Sequence, residues 1–227
     1  RRQRQMCIRD RPNHLLNALY RRAKADPAMR LTIMTALTLE KPKGHSELER
    51  RFLEPFVERV FGNYPDLDYE LDRVAGTLPE NVRVIEFYLA PGKYIGNGPV
   101  QRDYISSNYT HAARDILDRG VNVLAQQVAV GEVDGERRLS LSCNPDLTVD
   151  LIAGMRREAD GGKPIALVAQ TNGELPFMYG DAVVRPDEFD FVVSNPALDF
   201  TLFGMPKMPV SEAELAIGLY CSTLVKE

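Results

Sequence analysis

An asparagine that follows a short apolar segment is the residue best placed to do chemistry in this chain. Ile165–Gln170 is apolar up to its last residue, which predicts a strand buried on both faces, and Asn172-Gly173 predicts a turn directly after it. In sheets of parallel strands, ligands sit at the carboxyl ends of the strands. Because an amide both donates and accepts hydrogen bonds, Asn172 is a candidate ligand-binding residue. The alternative is an Asx turn, in which the side chain braces Gly173.

Motifs that would identify a catalytic centre are missing from the sequence. It contains no Walker A loop, no GxSxG elbow and no HExxH pair. The three histidines, His14, His45 and His111, have no partners at the spacing of metal ligands. Gly96-Asn97-Gly98 resembles a phosphate-binding turn, but GxG alone is a weak signal, and a plain surface turn is the favoured interpretation. We therefore expect no metal site in this chain.

Strands and helices alternate along the chain at the spacing of βαβ units, which predicts an α/β fold with a mainly parallel sheet. Strands are predicted over Leu31–Leu39, Val82–Leu89, Val121–Val130, Leu139–Cys143, Ile165–Gln170 and Phe189–Ser194. Helices are predicted from His14 onward and over Ser46–Gly62, Thr110–Arg119, Asp146–Glu158 and Val210–Glu227. Ser46 with Glu49 predicts a capping box for the second helix. Ala90–Asn108 is expected to be a long polar loop.

Charge and composition exclude several classes of protein. The chain has 227 residues, 44% of them hydrophobic, which is enough for a sizeable core. The first eleven residues carry five arginines and one aspartate, so the rest carries a charge of −8 and the whole −4. An acidic body argues against a nucleic-acid-binding surface. Three scattered cysteines, Cys7, Cys143 and Cys221, favour reduced thiols in the cytoplasm, and no apolar run is long enough to span a membrane.

Both ends of the chain differ from its middle. Residues 1–11 have no helical or strand period, so we expect a non-native extension that does not pack; a basic arm or an Arg-rich presequence are the alternatives. We expect residues 12–208 to form one domain that is incomplete at its start. Residues 209–227 are expected to be the first helix of a truncated second domain, with Ser211 as its N-cap.

Two motifs carry a resemblance to a known family. Ala169–Pro176, followed by Gly180-Asp181, resembles the strand, Asn, Leu-Pro and Gly-Asp pattern in the amino-terminal domain of the acetyl-CoA hydrolase/transferase family. The segment from Val133 to Ser142 is similar to the family's loop before a Ser-Leu-Gly motif, with Arg137 and Ser142 where the family usually has glycine. The similarity extends from about Pro12 to the end of the chain.

The resemblance implies a fold, a reaction and a set of contact residues. The fold is the three-layer CoA-transferase/isomerase type, and the reaction is acyl-CoA transfer or hydrolysis through a glutamyl-CoA intermediate, with coenzyme A as substrate and no other cofactor. The nucleophilic glutamate would lie outside this chain, which leaves the chain inactive by itself. Asn108 and Thr110 match a segment along the family's active-site cleft, where they would bond an acyl or pantetheine carbonyl; capping of a helix is the alternative. The partners implied are acyl-CoA, a carboxylic acid, the carboxyl-terminal domain and a second copy of the chain.

Overall fold

Alternating strands and helices build an α/β fold in this chain. The computed structural model describes residues 11–202 and 209–225. The strands are β1 (Leu31–Thr35), β2 (Val82–Glu86), β3 (Val123–Val133), β4 (Glu136–Ser140), β5 (Ala166–Thr171), β6 (Val183–Val184) and β7 (Phe191–Val193). The helices are α1 (Asn13–Ala25), α2 (Glu47–Phe61), α3 (Asp68–Ala75), α4 (Gly98–Arg102), α5 (Tyr109–Asp118), α6 (Thr148–Asp160) and α7 (Glu212–Ser222). The predicted α/β class is confirmed.

The described strands form two sheets. β1 and β2 pair in parallel, and the other five strands follow the order β6-β4-β3-β5-β7. β3 pairs in parallel with β5 along its first half, and β5 pairs in parallel with β7. β4 pairs with β3 and β6 in the antiparallel sense. The parallel strands therefore carry an antiparallel ribbon at one edge, so that the larger sheet is mixed.

A tight hairpin replaces the loop expected between residues 133 and 142. Asp134 and Gly135 both have positive φ, of 54° and 76°, and they join β3 directly to β4. Two left-handed residues give a two-residue turn the twist that matches antiparallel strands. The prediction of a strand over Leu139–Cys143 was wrong by three residues. β4 begins and ends three residues earlier, because the Asp134-Gly135 turn leads directly from β3 into it.

Helices cover both faces of the strands and make three layers. Ile33 of β1 packs with Tyr20 of α1 in one buried cluster. The next residue, Met34, packs instead against a cluster that contains Ile116 of α5. Side chains alternate between the faces of a strand, so these two contacts place α1 and α5 on opposite sides. The third large cluster joins β3, β4 and β5 to Ile152 and Met155 of α6.

Local signals predicted some element boundaries well and others poorly. Ser46 caps α2 with a complete capping box, as predicted. β1 ends four residues before the predicted Leu39, because Leu37 takes a left-handed backbone conformation with φ of 44° that leaves the strand. The connection before β2 contains α3, a helix of two turns that is not among the helices predicted from the sequence. The loop over Ala90–Asn108 holds the short α4, which Asn97 caps.

The residues next to the two ends of the described chain behave differently. Arg11 is buried and donates hydrogen bonds to Thr38 Oγ1 and to the carbonyl of Ala36, so the expectation that residues 1–11 do not pack is wrong for Arg11. Residues 1–10 lie outside the described residues. Ser211 caps α7 as predicted, but the apolar side chains of this helix are all exposed. No described helix is both long enough and apolar enough to cross a membrane.

Candidate functional site

Asn172 lies at the carboxyl end of β5, where the sequence predicts ligand binding. Its side chain is buried, and both halves of its amide have partners within the chain. Nδ2 donates to the carbonyl of Phe200 at 3.0 Å, and Oδ1 accepts from the backbone N–H of Glu174 at 3.0 Å. The second bond is the Asx turn of the alternative interpretation. The side chain thus holds the turn after β5 against the segment that ends at Phe200.

A small cleft opens beside Asn172. Its volume is about 170 Å³, and its lining includes Val130, Thr171, Asn172 and Asp199. Asp199 accepts a hydrogen bond from the backbone N–H of Gly173 at 3.0 Å, so the turn and the acidic side chain hold each other in place. A cleft of this size admits a small group such as a carbonyl or a carboxyl, and is smaller than the usual pocket for a whole ligand.

Asn108 and Thr110 lie together at the start of α5. Asn108 Oδ1 accepts a hydrogen bond from the backbone N–H of His111 at 3.2 Å, which makes Asn108 the N-cap of the helix. Thr110 Oγ1 donates to the same oxygen at 2.8 Å, and both side chains are exposed. Neither residue lines the cleft beside Asn172. The structure therefore brings Asn108 and Thr110 to each other and not into that cleft.

A buried cluster of charged and phenolic groups lies at the carboxyl ends of β1 and β2, and the sequence analysis did not anticipate it. Arg73 of α3 donates to Glu70 at 2.7 Å, to Glu86 at 2.9 Å and to the hydroxyl of Tyr94 at 2.6 Å. All four side chains are buried. Glu86 also accepts from the backbone N–H of Thr38 at 2.8 Å. We call Glu70, Arg73, Glu86 and Tyr94 the buried ion cluster.

Burial and charge together set the proton affinities in this cluster. Burial favours loss of the proton from Arg73, but the carboxylates of Glu86 and Glu70 outweigh it and raise the pKa of its guanidinium. Burial, followed by the hydrogen bond to Glu70, raises the pKa of Tyr94. Burial also raises the pKa of the neighbouring Tyr69 to about 12. Near neutral pH Arg73 is therefore charged, while Tyr94 and the neighbouring Tyr69 are neutral phenols.

Some signal for this cluster was present in the sequence. Glu86 interrupts the apolar strand Val82–Glu86 at its carboxyl end, and a charged residue there requires a partner if the strand is buried. Glu70 and Arg73 are three residues apart, so they share one face of α3. Nothing in the sequence indicates that the two features meet. Few hydrogen-bonding groups of the cluster lack a partner, and we assign to it the role of holding the carboxyl ends of β1 and β2 in place.

Buried amides on β3 and β5 form a second polar group. Gln127 and Gln170 are direct neighbours in the sheet register, and both are buried. Gln170 Oε1 accepts from the backbone N–H of Leu15 at 3.1 Å, in the first turn of α1. The residue at the N-cap position of α1 is Pro12, whose side chain cannot accept a hydrogen bond. Gln170 of β5 therefore supplies the capping acceptor. The described residues contain no group of three or more His, Cys, Asp and Glu that could hold a metal ion.

Comparison with known proteins gives a fold and no family. No protein-family model matches the chain, and no curated protein matches it. RipA from Yersinia pestis, a CoA-transferase-like protein, overlaps 95% of this chain and 43% of its own, at 18% identity and a TM-score of 0.52. A mutant RipA structure overlaps the same shares at 18% identity, with a TM-score of 0.55. A 4-hydroxybutyrate CoA-transferase from Porphyromonas gingivalis overlaps 92% of this chain and 47% of its own, but its identity of 17% and TM-score of 0.35 support no argument.

The overlap with RipA extends along almost the whole chain. The chain therefore has a CoA-transferase-like α/β fold. It spans less than half of the length of the RipA structures that it matches.

Proposed function

We propose that this chain is the amino-terminal half of an acyl-CoA hydrolase or CoA-transferase. The overlap with RipA over 95% of the chain is the observation that carries the proposal. The pattern from Ala169 to Asp181 supports it independently, because that pattern resembles a motif of the acetyl-CoA hydrolase/transferase family. In this proposal residues 12–208 form the amino-terminal domain, and residues 209–227 begin the next one.

The proposed reaction proceeds by covalent catalysis. A glutamate of the carboxyl-terminal domain attacks the thioester carbonyl, which gives an acyl-glutamyl anhydride and releases the thiolate of coenzyme A. The thiolate then attacks the glutamyl carbonyl of the anhydride, which forms a glutamyl-CoA thioester and frees the first carboxylate. Water or a second carboxylate completes the cycle, and this last step separates hydrolysis from transfer.

The proposed part of this chain in the reaction is to form one wall of the active-site cleft. Asn172 would lie at that wall together with the small cleft beside it, while Asn108 and Thr110 would contact the acyl or pantetheine carbonyl. In this structure the amide of Asn172 bonds Phe200 and Glu174, so contact with a ligand requires an exchange of at least one of these bonds. The second candidate function is a non-catalytic ligand-binding or regulatory α/β domain, which the internal bonding of Asn172 favours.

The test uses this chain alone and the protein encoded by the full gene. Acetyl-CoA is supplied with and without a carboxylate acceptor, and release of free thiol and formation of a new acyl-CoA are followed. We expect activity from the full protein and none above buffer from the chain alone. Borohydride reduction during turnover should inactivate the full protein, because it traps a glutamyl thioester. A full protein that binds acyl-CoA without turnover would favour the regulatory domain instead.

A further inference from the structure

Two strand edges face each other across a large cleft. β1 pairs only with β2 in the described structure, and β4 covers the outer edge of β3 only from Ala129 onward. Residues 31–36 and 121–126, which run along these two edges, line the same cleft of about 880 Å³. We call this cleft the seam. Within the described residues, neither edge has a strand partner across the seam. Arg11, which also lines the seam, donates to the carbonyl of Ala36, so the backbone groups available for pairing on that edge are those of β1 before Ala36.

The seam has apolar walls above and below the plane of the strands. Leu16 and Leu19 of α1 line it on one side. Leu147, Leu151 and Met155, at and within α6, line it on the other. The space is therefore a position in the middle layer of a three-layer fold. A strand in such a position is apolar on both faces.

The volume of the seam matches that of a short strand. In a packed layer each strand residue takes up about 3.3 Å of length, about 4.8 Å of width and about 10 Å of thickness, or roughly 160 Å³. A volume of about 880 Å³ therefore accommodates about five or six residues. The stretch from Val121 to Gln126 that lines one edge has the same length. An extended peptide fits this space and would find hydrogen-bonding groups on both sides.

Positive charge is concentrated at one end of the seam. Four exposed arginines line it, Arg30 just before β1, Arg83 in β2, Arg102 at the end of α4 and Arg119 just before β3. Asp103 is the one carboxylate among the described lining residues, and it pairs with Arg83 at 2.6 Å. This concentration is local, because the whole chain has a charge of −4. A ligand with negative charge at the amino ends of β1 and β3 would be attracted there.

We propose that the seam binds an extended peptide of about five or six mainly apolar residues, with acidic residues at the end beside the arginines. The peptide adds as a strand between β1 and β3, so that backbone hydrogen bonds supply affinity and the apolar walls select its side chains. This interaction lies outside the proposed acyl-CoA chemistry, which it neither requires nor excludes.

The first experiment measures peptide binding to the chain. Two blocked peptides serve as probes: five alternating valines and alanines, apolar on both faces, with two aspartates at the carboxyl end, and the same residues in reverse order. We expect one of them to bind saturably with one-to-one stoichiometry in calorimetry. An analogue with two N-methylated peptide bonds keeps every side chain but loses two donors. Its affinity should be lower by at least about tenfold. Equal binding of the analogue, or no binding of either probe, would overturn the proposal.

The second experiment tests where the peptide binds. Arg30→Ala combined with Arg102→Ala should weaken binding of the acidic peptide by about fivefold, and should have little effect on a peptide with two glutamines in place of the aspartates. Arg59→Ala, an exposed arginine of α2 away from the seam, is the matched control and should bind normally. An equal loss of affinity for the acidic and the neutral peptide would contradict the charge argument.

Hydrogen exchange distinguishes peptide binding in the seam from two alternatives, direct pairing of β1 with β3 and an acyl-chain site. We expect the amides of Val123–Val128 that do not bond β5 to exchange rapidly in the free protein and slowly with peptide bound. Slow exchange in the free protein would mean that β1 and β3 already pair directly, which would overturn the proposal. Protection of these amides by dodecanoate but not by peptide would identify an acyl-chain site and would also overturn it.

Discussion

Asn172 illustrates how one residue type supports two functions at the same position. The strand end favours ligand binding, yet the amide bonds the carbonyl of Phe200 and the N–H of Glu174. An amide that has both partners inside the chain already contributes to stability, since removal would leave the buried carbonyl of Phe200 unpaired and the backbone N–H of Glu174 without its acceptor. A binding role and a bracing role therefore predict different losses on substitution.

The prediction for this residue concerns stability and catalysis together. Asn172→Ala should lower the free energy of unfolding by about 1–3 kcal/mol, because the buried carbonyl of Phe200 loses its side-chain donor. Asn172→Asp keeps an acceptor for Glu174 but places a buried carboxylate against the carbonyl oxygen of Phe200, so urea unfolding should show a larger loss than for Asn172→Ala. In the full-length protein, a fall of catalytic efficiency by about tenfold per folded molecule would support contact with acyl-CoA. An unchanged efficiency would leave only the bracing role.

His14 is a residue whose protonation should oppose folding. It lies in the first turn of α1, with its ring 5.7 Å from that of Phe200 in an edge-on contact. Burial, and then the charge of Arg21, lower its pKa below the ordinary value of 6.5. Between the lowered pKa and 6.5 the unfolded chain binds more protons than the folded chain, so stability rises with pH in this window.

The expected pH profile follows from that sign. The contribution of neutral His14 is fully present above pH 6.5 and is lost as the pH falls through 6.5 and then through the folded pKa. Thermal unfolding from pH 4 to pH 8 should show that His14→Gln lacks this part of the decline. Parallel profiles for the two proteins below pH 6.5 would show that His14 does not titrate with folding.

At the scale of elements, the β3–β4 hairpin depends on backbone conformation alone. Gly135 has φ of 76°, and a Cβ at this position would meet no atom within 4 Å. A substitution there would lower stability because of the left-handed backbone, and not because of a steric clash. The same reasoning explains why the Asp-Gly pair is the clearest signal for this turn.

Gly135→Ala should therefore destabilise the protein by about 1–2 kcal/mol, the usual cost of a left-handed backbone for a residue with a Cβ. Gly98→Ala is the matched control, because Gly98 also has open space around its Cβ position but has no positive φ. Chemical denaturation of the two variants measures the difference. Equal stability of the two variants would mean that the turn tolerates a Cβ without strain.

At the scale of the whole molecule, the buried ion cluster joins three successive parts of the chain: α3, the end of β2 and the loop that follows β2. Arg73 of α3 bonds Glu86 at the end of β2, and Tyr94 comes from the loop that follows β2. Removal of one partner from such a cluster leaves an unpaired charge in a buried place, which lowers stability strongly. Replacement of the whole cluster by apolar residues would change stability far less. An ion pair on the surface has no such asymmetry.

Arg73→Met should lower the free energy of unfolding by about 3–5 kcal/mol, since the buried Glu86 loses its cation and Glu70 keeps only Lys93, at 2.6 Å. Arg83→Met removes an exposed pair with Asp103 and should cost less than about 1 kcal/mol. Urea titration at neutral pH compares the two variants. A similar small loss for both would show that water or rearranged side chains compensate for Arg73.

The sequence by itself determined the α/β class, the longer strands and helices, and the position of Asn172 at a strand end. These features depend on local patterns: apolar runs report burial of a strand on both faces, and Ser46 with Glu49 reports a helix start wherever the helix packs. The tertiary structure alone decided that Asn172 bonds Phe200, that Gln170 caps α1 and that Glu86 meets Arg73. It also decided that β1 and β3 face each other across the seam. Periodicity records how deeply a residue is buried but not which distant residue lies beside it, because that depends on how the strands are ordered in space.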